Sequence, residues 1–116
     1  MTQITIYHNP KCSKSRETLA LLEARGLTPR VIEYLQTPPS AAELERILKL
    51  LGLEPRELMR RQEAEYRELG LDDPKLSRAQ LVDAMVKHPR LIERPIVLAN
   101  GKAAIGRPPV NVLAIL

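Results

Sequence analysis

The chain has 116 residues, 44% of them hydrophobic, enough for one packed domain and too few for two separate cores. Its net charge is +4, from 18 basic and 14 acidic side chains, but the basic residues form no run and there is no Phe or Trp. That excludes a stacking platform for nucleic acid, and no apolar run approaches the roughly 20 residues of a membrane span.

Residues 3–7, QITIY, alternate and are rich in β-branched side chains, which predicts a first strand. After an HNPKC turn, residues 13–25 predict a helix with Leu19 and Leu22 inward and Gly26 as its stop. Residues 30–34, RVIEY, predict a second strand. A helical crossover makes the two strands parallel. QTPPS then breaks the chain. Ser40 with Glu43, and Ser77 with Gln80, are capping-box pairs that open two helices. The first places Leu44, Ile47, Leu48 and Leu51 on one face and closes at Gly52. The second carries Leu81, Val82 and Met85 and ends at Pro89. Between them, residues 55–69 predict one further, more polar helix.

Residues 95–99, PIVLA, predict a third strand. Asn100-Gly101 is a two-residue hairpin signal that returns residues 102–105 as an antiparallel fourth. PPVNVLAIL predicts a short final helix. The order β-α-β, helical insert, β-β-α with a mixed four-stranded sheet is the thioredoxin-like order of an α/β protein. It is expected as a single domain over residues 1–116 with the insert at about 38–90.

The one cysteine, Cys12, falls where the first strand hands over to a helix. Amide groups and the helix dipole favour an anion at such a place and lower a thiol's pKa from about 8.5 toward neutrality. The alternative is a buried small hydrophobe. Lys11, Lys14, Arg16 and His8 add positive potential. A C-x-x-C dithiol is excluded because Ser15 occupies its fourth position, and the C-x5-R loop of tyrosine phosphatases is excluded because that position is Thr18. His8 and His88 are the only histidines, so no metal-ligand spacing exists. His8 can bias the thiol toward thiolate, or simply end the strand in solvent. Arg60 in MRRQ, Arg94 in ERPIV and Arg107 in IGRPP lie where structure is irregular. On residue type alone each reads first as a solvated surface charge and only second as an oxyanion donor. A cis Arg94–Pro95 bond is expected. With no export signal at the N-terminus and one unpaired cysteine, the expected location is a reducing cytoplasm.

HNPKCSKSR, YLQTPPS, LMRR, YRELGL, HPRLIERPIV and IGRPP together resemble the ArsC family of arsenate reductases from Ile4 to Leu116. CSKSRET, ERPIV and ANGKAAIGRPP are most similar to its YfgD-type branch. The resemblance implies a thioredoxin-like fold and a catalytic Cys12 that attacks arsenate, with His8 helping to keep the thiolate. It implies that Arg60, Arg94 and Arg107 bind the oxyanion, with Ser15, Arg16 and Lys14 supporting the anion loop. It further implies no bound cofactor, glutathione as co-substrate and glutaredoxin as partner, which supplies the resolving thiols that the chain lacks. Better-characterised members read C-G-T-S-R where this chain has Ser13 and Lys14. The alternatives are a glutathione-linked thiol oxidoreductase with another substrate, or an Spx-type non-enzymatic regulator on the same scaffold.

Overall fold

The computed structural model of the protein describes residues 3–116. The chain divides into two compact units, one formed by the chain up to Thr37 together with Arg94–Leu116, the other by Pro38–Glu93.

The first unit is a sheet with helical cover. Strand β1 (Thr5–His8) leads through a tight turn into helix α1 (Ser13–Ala24) and then into β2 (Arg30–Glu33). Strands β3 (Ile96–Ala99) and β4 (Lys102–Ile105) follow from the later part of the chain, closed by a 3-10 helix over Pro109–Ile115. The sheet order is β2-β1-β3-β4, with β1 and β2 parallel and the other two pairs antiparallel. This is the thioredoxin-like α/β arrangement. The β3–β4 hairpin turns on Asn100 and Gly101, at φ 55° and 70°, the left-handed pair that a two-residue loop between twisted strands requires. Helix α1 ends because Gly26 takes φ 76°, letting its own amide and that of Leu27 bond back to Glu23 and Leu22.

An aliphatic cluster closes this unit, and the rings of Tyr7 and Tyr34 are buried in the same unit. Ile4, Ile6, Leu22, Val97, Ala99, Val112 and Ile115 are buried together, with Leu19 packed against them. The final segment is 3-10 rather than α-helical, and it still delivers Val112 and Ile115 inward.

The second unit is helical. Helix α2 (Ala41–Leu51) starts where Ser40 Oγ accepts the Glu43 amide at 3.1 Å, and it buries Leu44, Ile47 and Leu48. It packs against α5 (Arg78–Lys87), which opens with both halves of the Ser77–Gln80 capping box and buries Leu81, Val82 and Met85. The single helix expected over residues 55–69 is instead two short ones, α3 (Pro55–Leu58) and α4 (Ala64–Glu68). Met59 is extended there and bridges to Ile92. The Arg60 amide donates to Leu91 O at 2.6 Å, and the Glu93 amide to Leu58 O at 2.8 Å. Backbone pairing with a distant segment thus replaces the helical bonds that local propensity favours. Among the described residues no helix is long and apolar enough to cross a membrane.

Candidate active site

Three strands of the first unit bring their chemistry to one edge. His8, the last residue of β1, lies opposite Glu33, the last of β2, while Ile96 at the start of β3 lies opposite Tyr7. Asn9 and Tyr34 therefore leave the sheet side by side, and Arg94 enters β3 two residues before Ile96 at the same edge. The turn HNPKC springs from that edge, and Cys12 is the N-cap of α1.

Backbone bonds hold the cysteine on both sides. Its amide donates to Asn9 O and its carbonyl accepts from the Arg16 amide, both at 3.0 Å. The side chain is only 7% exposed. Burial, the largest influence, pushes the thiol up. The Ser15 amide, the Arg94 guanidinium by hydrogen bond and by charge, and the Lys14 amide together outweigh it. The net result is a pKa below that of an ordinary thiol, although Sγ makes no strict capping hydrogen bond to the helix. The second arginine arrives from the far end of the chain, with Arg107 Nη2 3.6 Å from Cys12 Sγ. Its Nε donates to Arg94 O at 2.8 Å and its carbonyl accepts from Asn111 Nδ2 at 3.0 Å, so it is fixed at both ends. Gly106 makes that approach possible, because a Cβ there would collide with Thr18 Oγ1 and Pro95. Arg94–Pro95 is cis, as the sequence suggests, and so is Arg107–Pro108, which it does not.

Ser15 organises the loop from beneath. It is fully buried, its Oγ lies 2.6 Å from His8 Nδ1, and it accepts the Asn9 amide at 3.0 Å. Burial, the larger influence, lowers His8 below the usual imidazole value, opposed by Glu33 and reinforced by Arg16. His8 is thus neutral near pH 7 and meets the loop through Ser15. Arg16 donates to the Pro10 carbonyl at 2.9 Å, bracing the turn, and Lys14 reaches out to Glu17 at 3.5 Å on the exposed face of α1. Arg60 belongs to the helical unit, where its guanidinium pairs with Glu93 at 2.9 Å and Glu63 at 3.3 Å. There it helps line a pocket of about 330 Å³ with Met59, Arg61, Gln62 and Glu93.

The sequence reading did not single out Asn9 or Tyr34. Asn9 Oδ1 accepts the Lys11 amide at 3.0 Å, which shapes the turn. Tyr34 follows β2 directly, and only the strand register shows that this places it beside Asn9. Among the described residues no group of three or more His, Cys, Asp or Glu is placed to hold a metal ion.

Because Ser15 serves two buried partners, Ser15→Ala is expected to destabilise the chain. Each buried group left unpaired costs about 1–3 kcal/mol. Urea denaturation measures it as a lower midpoint at unchanged slope, whereas an unchanged midpoint would mean that His8 and Asn9 find other partners.

A family model described as the ArsC family matches residues 7–115. The chain is 58% identical to the uncharacterised protein YfgD of Escherichia coli (strain K12), over 98% of this chain and 97% of that protein. It is 54% identical to an arsenate reductase of Neisseria meningitidis serogroup B (strain ATCC BAA-335 / MC58), over the full length of both. A solved arsenate reductase from Vibrio cholerae superposes with a TM-score of 0.97 at 59% identity, covering 99% of this chain and 98% of that one. A buried thiol with a lowered pKa, two arginines converging on it and full-length similarity lead to one assignment: the chain belongs to the ArsC family.

Proposed function

We propose that the chain is an arsenate reductase in which Cys12 is the only protein nucleophile, and that glutathione and glutaredoxin supply the remaining thiols. The observation that carries this reading is the convergence of Arg94 and Arg107 on a thiol whose pKa is lowered. A thiolate and an arsenate dianion repel each other, and guanidinium groups offset that repulsion with charge-assisted, often bidentate hydrogen bonds. Family resemblance adds Arg60 as the third oxyanion arginine.

In the proposed cycle the Cys12 thiolate attacks arsenic, an As–S bond forms, and an arsenate oxygen leaves as water after taking up protons. Glutathione then contributes the second sulfur. The two sulfurs join in a mixed disulfide, giving up two electrons, and arsenic accepts both as it falls from the pentavalent to the trivalent state. A glutaredoxin thiolate attacks the glutathione sulfur, and Cys12 departs as thiolate. His8, neutral and set against Ser15, supports the loop geometry that keeps the amides aimed at the sulfur. Arg16 plays the same supporting part through Pro10. Beyond its backbone amide, Lys14 contributes only long-range positive potential, because its ammonium is engaged at the surface. This chemistry needs a reducing compartment, so the cytoplasm is the proposed location.

The test is NADPH oxidation coupled through glutathione reductase, with each component omitted in turn. The expected result is turnover that requires arsenate, glutathione and glutaredoxin together. No arsenate-dependent turnover from the folded protein would overturn the reading. Turnover on a glutathione mixed disulfide instead would favour the thiol-oxidoreductase alternative and direct attention to Ser13 and Lys14, where this chain departs from C-G-T-S-R.

A further inference from the structure

Tyr34 has no place in the cycle above, yet it stands at the same edge of the sheet. It is 1% exposed, and its hydroxyl has no hydrogen-bond partner. Buried hydroxyls are almost always satisfied, so this one needs a reason. The strand register supplies its surroundings: Tyr34 leaves β2 beside Asn9 and one strand away from Arg94.

Those neighbours present donors. The Arg94 guanidinium can only donate. The Asn9 Oδ1 faces the Lys11 amide, and Asn9 acts on the phenol as a donor through its NH2. Arg94 acts on the phenol oxygen by charge and as a donor and Asn9 as a donor, neither in full hydrogen-bond geometry, and Cys12 lies within electrostatic range as well. Nearby, the Ser15 hydroxyl is engaged with His8 and the Asn9 amide. The phenolic proton has no acceptor within hydrogen-bond reach. Such a set of donors is matched by a ligand that only accepts, and a tetrahedral oxyanion presents several acceptor oxygens at once.

We propose that the Tyr34 hydroxyl donates a hydrogen bond to the oxyanion gathered by Cys12, Arg94 and Arg107, making Tyr34 a further substrate-binding residue of this site. The inference deepens the oxyanion reading above and rests on it. The hydroxyl is covered in the ligand-free chain, so the contact forms as the oxyanion draws the Arg94 guanidinium toward itself. The gain is specificity: an anion with a free acceptor oxygen uses the phenol, and a neutral disulfide electrophile does not.

The experiment measures how much arsenate protects Cys12 from iodoacetamide in wild type and in Tyr34→Phe, each rate normalised to that without arsenate. Thermal midpoints of both are recorded without arsenate. The phenyl ring keeps the packing, so the expected midpoint is unchanged or higher, because a buried unsatisfied group is removed. The arsenate concentration giving half protection is expected to rise about tenfold, the loss of one hydrogen bond to a charged acceptor. Equal protection in the two proteins would overturn the role of Tyr34 and leave the oxyanion site standing. A lower thermal midpoint in the variant would also overturn it, assigning Tyr34 to the fold. Absence of protection in wild type would overturn both readings.

Discussion

Cys12→Ser is expected to abolish arsenate turnover while leaving the fold intact or slightly firmer. The Ser15 and Lys14 amides and Arg94 bring a thiol below its ordinary pKa, but the same field acting on a hydroxyl leaves it protonated. No second cysteine exists to take over the attack or to form the mixed disulfide. Stability should not suffer, because position 12 is an N-cap at which the cysteine sulfur makes no capping hydrogen bond. Serine is among the preferred caps and can add up to about 1 kcal/mol there. The coupled assay and a thermal melt on one preparation check both halves. Residual turnover above about one part in a hundred would show another nucleophile at work, since losing the nucleophile of such a unit costs on the order of 10⁶ in turnover.

Arg94→Ala should lower kcat/KM for arsenate by about 10²–10³, the usual loss on removing one donor from a preorganised oxyanion site. Its second signature lies in the nucleophile itself. Arg94 lowers the Cys12 pKa both by hydrogen bond and by charge. Without it, the Ser15 and Lys14 amides oppose burial with less help, so the thiol pKa rises. The profile of alkylation rate against pH should therefore shift to higher pH, and the rate at neutral pH should fall. The backbone carbonyl of residue 94 survives the substitution, so the anchor for Arg107 Nε is retained and the effect reports the guanidinium alone. An unshifted profile with a large loss of activity would assign Arg94 to substrate binding only.

Several elements were legible because the signals that encode them are local. Ser40, Ser77 and Asn100-Gly101 mark caps and a hairpin through bonds made within three residues of themselves, and each forms as expected. Cys12 at a helix start is equally readable, since two of the groups that lower its pKa, the Ser15 and Lys14 amides, are sequence neighbours. The break after Leu58 was not readable, because its cause is the pairing of Met59 and Arg60 with residues 91–92. The long-range partners of the thiol were opaque for the same reason. Arg94 and Arg107 approach Cys12 only because β3 lies antiparallel to β1, and residue type alone left them as surface charges. Family resemblance, not periodicity, raised them to candidates. In the sequence Ser15 stands out mainly as the absence of a second cysteine, whereas its hydroxyl ties His8 and Asn9 together.

The backbone of Cys12 is held from both directions, by Asn9 on one side and Arg16 on the other. In the proposed cycle this imposes an order on events. The sulfur cannot swing between stations as a thiol on a mobile arm would, so every reactant must travel to one stationary point. Arsenate, glutathione and the reducing partner then compete for a single coordinate, and each must vacate it before the next can bond there. Throughput is set by traffic at that point, and a surplus of any one participant slows the cycle by occupying the sulfur out of turn.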